Sequence, residues 1–258
     1  MTGKRTTVML SALLAACVTA TVPAVREGLV EYYGSQKTIF DSGKAEAKVP
    51  LAAMSGANGT FGVGAVAGLD GEITVYEGKP YVTKVRGSGF TLDHGHDHAA
   101  IFAVWTKNTQ WRDEPLPNDI KTYLDLQRHV KARAAAAGID TDKPFPFLLR
   151  GAPAELKWHI NVDLTEGKPV TRELFAKSKA NYVMKNQAVD IVGFHSEKHP
   201  GVFISAYAPA IKEKDVKNAI HIHLVAKDGK SAGHIDDLTL GGGMTLRTGK
   251  SGRYRYYV

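Results

Sequence analysis

The run Ala219-Ile220-His221-Ile222-His223-Leu224-Val225 is the most informative stretch of the 258-residue sequence. Its apolar residues predict a buried strand, and successive side chains of a strand point to opposite faces of a sheet. The two histidines of this run therefore project to the same side. Turn-forming residues follow at 227–230, and Gly233-His234-Ile235 then begins another strand, so a hairpin can place His234 opposite the pair.

Three histidines arranged in this way predict a metal site. Three neutral imidazoles leave one coordination position open, which is typical of catalytic rather than structural zinc. The alternative is that His221, His223 and His234 are half-buried strand residues without a ligand. A His-x-His pair alone favours that alternative, but the third histidine across a short turn favours the metal.

Two other groups of histidines are weaker candidates. His94, His96 and His98 are separated by single residues and could bind a metal, but the neighbouring glycine and aspartate favour an exposed loop. His195 and His199 flank a polar stretch before a proline, and no fixed geometry follows from that spacing. Neither group is expected to be the main site.

The remaining sequence predicts a chain rich in strands. Apolar and polar residues alternate between turn signals in residues 69–82, which is the pattern of a β-meander. Residues 119–137 have apolar side chains at helical spacing and stop at Gly138, residues 172–184 predict a second helix, and residues 25–38 a short helix or linker. Further strands are expected at 59–64, 101–105, 145–149, 156–162, 189–194, 202–207, 219–226 and 235–240. The predicted fold class is α+β, with two sheet-bearing domains, mixed and antiparallel β-sheets and few helices.

The first residues predict an export signal. Lys4 and Arg5 precede an apolar stretch, residues 8–16, that is too short to span a bilayer as a helix. The stretch leads into Leu14-Ala15-Ala16-Cys17, which resembles a bacterial lipobox, so we expect lipidation of Cys17, with plain cleavage after Ala24 as the alternative.

This signal sets the expected organisation of the chain. Residues 1–24 are the expected signal, residues 25–142 an N-terminal β-rich domain, and residues 143–258 a C-terminal metal-binding sheet domain. The expected location is the bacterial envelope, either periplasmic or as a membrane-anchored lipoprotein.

Charge does not indicate binding to nucleic acid. The formal net charge is +7, but Lys and Arg are spread along the chain among Asp and Glu, so no basic block follows a phosphate backbone. Tyr254, Tyr256 and Tyr257 stand beside arginines in an alternation that favours a terminal strand over an RNA-binding platform. We therefore expect no nucleic-acid partner.

Taken in order, the motifs resemble those of the acetolactate decarboxylase family over residues 56–240. The N-terminal signature of that family is present as Phe61-Gly62-Val63-Gly64, Leu69-Asp70-Gly71-Glu72 and Gly78-Lys79-Pro80-Tyr81. The more specific C-terminal signature is present as Val192-Gly193-Phe194, His221-Ile222-His223-Leu224 and Ala232-Gly233-His234.

The resemblance implies a fold and a reaction. In the family the three histidines bind zinc in a cleft between two sheet-bearing domains, and a homodimer is implied. The implied carboxy-lyase reaction converts 2-acetolactate, or a related 2-hydroxy-3-keto acid, to acetoin and CO2 as part of acetoin biosynthesis. Zn2+ would polarise the substrate oxygens, and Glu72 would move a proton. No organic cofactor is required.

Three positions depart from the family pattern. His159 stands where the family has an arginine thought to pair with the substrate, Ala65 stands where it has a threonine, and residues 251–258 lack its acidic side chain. His159 is therefore the second candidate catalytic residue, and it can donate one hydrogen bond but not the two-pronged contact of a guanidinium. Two alternatives follow: a divergent enzyme of the same scaffold acting on another hydroxy-keto substrate, and a non-catalytic envelope lipoprotein that binds metal.

Overall fold

The computed structural model describes residues 28–199, 213, 216–249 and 253–257. The expected signal at 1–24, with Cys17, and the expected strand at 202–207 lie outside these residues. No helix within the described ranges is long and apolar enough to cross a membrane.

The first of two sheets has eight strands, one of them from the C-terminal end of the chain. They are β1 (Leu29–Tyr33), β2 (Val49–Pro50), β3 (Thr60–Val66), β4 (Glu72–Tyr76), β5 (Lys79–Arg86), β6 (Gly89–Asp93), β7 (Ala99–Lys107) and β16 (Arg253–Tyr257). Their order is β16-β1-β7-β3-β4-β5-β6, with β2 beside β7. The pair of β1 and β16 is parallel, whereas the other pairs are antiparallel, so this sheet is mixed.

The second sheet also has eight strands, and its pairs are antiparallel. They are β8 (Trp111–Pro115), β9 (Phe145–Gly151), β10 (Glu155–Asn161), β11 (Lys179–Met184), β12 (Val189–His195), β13 (Ile220–Ala226), β14 (Ala232–Thr239) and β15 (Thr245–Gly249). Their order is β11-β10-β14-β13-β12-β9-β15-β8. One mixed and one antiparallel sheet confirm the predicted α+β fold.

Three α-helices lie within the described residues: α1 (Gln36–Ser42), α2 (Tyr123–Ala136) and α3 (Arg172–Lys177). The predicted helix at 119–137 is α2, which starts at a capping box. The Thr122 hydroxyl accepts a hydrogen bond from the backbone N–H of Asp125, and the Asp125 carboxylate accepts one from the N–H of Thr122. The chain leaves the helix at Gly138, whose φ of 76° is in the left-handed region that glycine adopts without strain.

Two predictions about local structure were wrong. The helix expected at 172–184 ends at Lys177, and its second half is the edge strand β11, which pairs with β10. Pairing with a neighbouring strand outweighs the weak helical preference of these residues. The described part of 25–38 contains strand β1 as well as the start of α1, because β1 pairs with β7 and β16.

The predicted domain boundary at residue 142 separates most strands of the two sheets. Strand β8 precedes it but belongs to the second sheet, where it pairs with β15, and β16 returns from the end of the chain to the first sheet. The boundary in the sequence therefore does not coincide with the division between the two sheets.

An inner layer between the sheets positions the site. Apolar side chains from both sheets form much of this layer, among them Phe61 and Val104 of the first sheet and Leu148 and Phe194 of the second. Helix α2 covers the outer face of the second sheet. The layer becomes polar where β4 packs against β13 and β14.

Candidate metal centre and active site

The structure brings the three predicted ligands together. His221 and His223 lie on one face of β13, and His234 lies opposite His223 in the paired strand β14. The Nε2 atom of His221 is 3.1 Å from Nδ1 of His234 and 3.2 Å from Nε2 of His223. All three side chains are buried, so their nitrogens face one another with little access for water.

The donor set fits a zinc-type ion. Two nitrogens that bind one zinc at about 2.0–2.1 Å with tetrahedral angles lie roughly 3.3 Å apart, close to the separations seen here. Burial, followed by the neighbouring histidines, holds the pKa values of His223 and His234 well below the usual range, so both rings are neutral, as ligands must be. The Nδ1 atom of His223 lies 3.0 Å from the Thr74 hydroxyl, a contact that orients the ring.

Glu72 reaches this centre from the opposite sheet. It begins β4, and its carboxylate oxygens lie 3.7 Å from Nε2 of His223 and 3.6 Å from Nε2 of His159. Burial raises the pKa of Glu72 well above its usual value, although the charge of Lys179 opposes this effect. A carboxyl group in this environment can hold a proton near neutral pH. Ala65 lies directly opposite Glu72 on β3.

His159 lies on β10, opposite His234. Its Nδ1 atom is 2.6 Å from an oxygen of Asp236, whose other oxygen is 3.2 Å from the ammonium of Lys179. Burial lowers the pKa of His159, and the hydrogen bond to Asp236 opposes that effect. Burial also works to raise the pKa of Asp236, but His159 and Lys179 bring it below its usual value.

Asp236 and Lys179 were missed by the sequence reasoning. The pairing of β10 with β14 shifts register between Lys157 and Trp158, which leaves Asp236 as the extra residue of a β-bulge. Bulges often re-aim a side chain beside a functional site. The spacing of Asp236 from His234 was a usable signal, whereas Lys179 fell in the segment that was wrongly predicted as helix.

His159, His234 and Asp236 are also close enough together to hold a metal ion. The two oxygens of Asp236 are already bonded to His159 and to the ammonium of Lys179. A cation at that distance opposes the binding of a second cation. The three-histidine cluster is therefore the better metal site.

The other histidines have separate partners. His94 bonds the carbonyl of Pro80, His96 the hydroxyl of Ser55, and His98 the carboxylate of Asp93. They do not form a metal-binding group among the described residues. His195 stacks on Phe145 in the core beneath α2, and His199 bonds Ser196. None of the five joins the candidate centre.

Comparison with known proteins identifies the fold. No model of a known family matches the sequence, and no curated protein matches it. Among solved structures, an alpha-acetolactate decarboxylase from Bacillus subtilis strain 168 is 19% identical, with a TM-score of 0.64 over 88% of each chain. The chain has the acetolactate decarboxylase fold. Acetolactate decarboxylase from Bacillus subtilis subspecies spizizenii has a TM-score of 0.65 at 18% identity over 89% of each chain.

A third structure with the acetolactate decarboxylase fold is a Staphylococcus aureus protein of unknown function, described as similar to alpha-acetolactate decarboxylase. It is 16% identical, with a TM-score of 0.65 over 88% of this chain and 89% of that one. The resemblance seen in the motifs is therefore confirmed as a shared fold. At these identities the chain is a divergent member of the acetolactate decarboxylase scaffold.

Proposed function

We propose that this chain is a zinc-dependent decarboxylase of 2-acetolactate or a related 2-hydroxy-3-keto acid. The observation that carries the proposal is the buried carboxyl group of Glu72, placed 3.7 Å from the ring of His223 at a three-histidine centre. The shared scaffold with acetolactate decarboxylases supports the same reaction class.

The reaction requires a bond to break and a proton to be returned. The bond between the carboxylate and the adjacent carbon breaks, the carboxylate leaves as CO2, and the electron pair stays with the carbon skeleton. Zinc held by His221, His223 and His234 would supply a Lewis acid for the hydroxyl and ketone oxygens of the substrate. A proton added to the carbon skeleton then completes acetoin.

Glu72 is the residue suited to deliver that proton. Its pKa is raised by burial, so the carboxyl group can carry a proton at neutral pH and release it to carbon. His159 faces the same carboxyl group at 3.6 Å and is held by Asp236, so its Nε2 lone pair can orient the protonated carboxyl group of Glu72. The burial of both side chains excludes competing water.

The test measures acetoin release from racemic acetolactate by the full chain, with zinc and after chelation. His221→Ala should lose both zinc and turnover. Glu72→Gln should keep one zinc per chain and lose about 100-fold or more in turnover, because the amide cannot transfer the proton. His94→Ala, outside the centre, is the matched control. Turnover by Glu72→Gln at the rate of the unchanged chain would remove Glu72 from this role.

One observation favours a substrate other than acetolactate. Where the family pattern has an arginine, this chain has His159 bonded to Asp236, which is in turn paired with Lys179. A panel of 2-hydroxy-3-keto acids with different substituents would identify such a substrate. Faster CO2 release from another member of the panel than from acetolactate would establish a changed substrate on the same scaffold.

A further inference from the structure

A row of paired residues crosses the first sheet opposite the candidate centre. From β7 to β6 the row consists of Phe102, Ala65, Glu72, Thr83 and Leu92. Directly paired residues point to the same face of a sheet. The ring centres of Phe102 and His221 are 6.2 Å apart, and the carboxylate of Glu72 faces His223. The row therefore lies on the face that is turned towards the histidines.

Thr83 contributes a buried hydroxyl group to this row. The residue is fully buried, and its Oγ1 atom has no hydrogen-bond partner among the described residues. Thr74, which lies on the same face two residues beyond Glu72, contacts Nδ1 of His223 at 3.0 Å. Buried polar groups are nearly always hydrogen-bonded. The hydroxyl of Thr83 therefore indicates a place for a polar atom of a ligand.

The position of Thr83 relates it to the reacting part of that ligand. Strand β5 packs against β10 and β14, the strands that carry His159 and His234. Glu72 lies between Ala65 on one side and Thr83 on the other. Neighbouring positions of such a row are about 5 Å apart, a distance that a hydroxymethyl group and one hydrogen bond together can span. A ligand whose reacting carbon faces Glu72 thus has an apolar neighbour on one side and a hydroxyl on the other.

The chemistry of Thr83 selects the kind of group that it can bind. A hydroxyl is neutral and can both donate and accept a hydrogen bond, so another hydroxyl is a well-matched partner. A methyl group in the same place would leave the hydroxyl of Thr83 buried and unbonded. A site of this kind discriminates against a ligand that lacks the matching polar group.

We propose that Thr83 is a specificity-determining residue that bonds a hydroxyl on a substituent of the substrate. The substrate class is then a 2-hydroxy-3-keto acid that carries one more hydroxyl than acetolactate, on one of its two methyl groups. The acid and ketone parts of this ligand rest on the proposed function. The added hydroxyl rests on Thr83.

The experiment is calorimetric binding of three unreactive acids to the zinc-loaded full chain. The parent acid is 2,3-dihydroxy-2-methylbutanoate, which is acetolactate with its ketone reduced. The other two carry an added hydroxyl, one on each methyl group: 2,3-dihydroxy-2-(hydroxymethyl)butanoate and 2,3,4-trihydroxy-2-methylbutanoate. At least one of them should bind roughly tenfold more tightly than the parent acid.

The decisive variant is Thr83→Val, which keeps the shape of the side chain but lacks the hydroxyl. It should abolish the gain from the added hydroxyl and leave binding of the parent acid and zinc content unchanged. Thr83→Ser, which keeps the hydroxyl, should retain most of the gain. Thr91→Val is the matched control, because Thr91 is an exposed threonine on the neighbouring strand β6.

A second measurement separates binding from a structural role. Because the hydroxyl of Thr83 has no partner in the fold, Thr83→Val should not lower the Tm of the ligand-free chain. A lower Tm together with an equal loss of affinity for all three acids would overturn the proposal, since it would show a structural effect.

The remaining outcomes distinguish this proposal from the proposed function. Binding of the parent acid with no gain from either added hydroxyl would overturn the role of Thr83 alone, as would a gain that persists in Thr83→Val. Failure of all three acids to bind would also overturn it. Because the acids do not react, a lack of acetoin release beside hydroxyl-dependent binding would reject the decarboxylation and retain the role of Thr83.

Discussion

The imidazole of His159 is held between two carboxyl groups. Asp236 lies 2.6 Å from its Nδ1 atom, and Glu72 lies 3.6 Å from its Nε2 atom. A carboxylate that accepts a hydrogen bond from Nδ1 selects the tautomer in which Nε2 carries the lone pair. Asp236 thereby determines what His159 can offer to Glu72.

Replacement of Asp236 by asparagine tests this dependence. The amide has nearly the same shape but can turn its NH2 group toward His159 and select the other tautomer. We expect Asp236→Asn to lower kcat about tenfold or more, with KM and zinc content within about twofold. Asp237→Asn, which alters the neighbouring carboxylate paired with the exposed Lys157, should leave kcat unchanged. Equal effects of the two substitutions would argue against a positioning role for Asp236.

His195 makes the stability of the fold depend on pH. Its side chain is fully buried, its ring nitrogens have no hydrogen-bond partner among the described residues, and burial lowers its pKa to about 4. The unfolded chain, with a histidine pKa of about 6.5, therefore takes up a proton more readily than the folded chain. Stability contributed by neutral His195 is lost as pH falls from about 6.5 towards 4.

Urea unfolding at pH 7 and pH 5 measures this effect. Linkage predicts that His195 accounts for about 2 kcal/mol of the decrease in unfolding free energy between the two pH values. His195→Leu should remove that share of the decrease, and His94→Leu, at an exposed position, is the control. An unchanged pH dependence in His195→Leu would assign the acid sensitivity to other groups.

At the scale of the elements, a glycine sets the fit between β12 and β9. A Cβ atom at Gly193 would lie 2.3 Å from the ring of Phe147, its partner across the two strands. The ring of Phe147 is fully buried and fills the space that a side chain at Gly193 would need. The glycine of the Val-Gly-Phe motif is therefore required by packing.

Gly193→Ala should lower the free energy of unfolding by about 1–3 kcal/mol, because the added methyl group overpacks the core. A double-mutant cycle with Phe147→Leu isolates the clash. The smaller leucine should absorb part of the methyl group, so the cost of the double variant should be less than the sum of the single costs. Strictly additive costs, measured by denaturant unfolding, would exclude this contact as the cause.

At the scale of the whole molecule, a metal ion at the three histidines would join two strands of the second sheet under the cover of the first. A ligand that binds the folded chain alone stabilises it by mass action, by about 4 kcal/mol at 1,000 times its dissociation constant. Zinc should therefore raise the Tm of the full chain, and chelation should lower it. His221→Ala should abolish the shift, whereas His96→Ala should retain it. A shift of equal size in His221→Ala would place the metal elsewhere.

The three-histidine cluster and most strands could be predicted because they depend on short-range patterns. The alternation in β13 and the turn before β14 are local, and they already place His221, His223 and His234 within reach of one another. Helix α2 was predicted for the same reason, since the helical spacing of its apolar residues and its terminal glycine are local features of the chain. Edge strands were harder, because β11 differs from a short helix mainly in having β10 as its neighbour.

The sequence by itself determined the three-histidine cluster, the two-sheet α+β class and the family resemblance, because each depends on residue spacing within a strand or across one turn. Only the tertiary structure decided which side chains surround the cluster. Glu72 comes from the opposite sheet, Asp236 is aimed by a bulge, and Lys179 comes from an edge strand. The sequence could suggest Glu72 and Asp236 as candidates, but it could not place them beside the cluster, because their positions depend on how distant segments pair and pack.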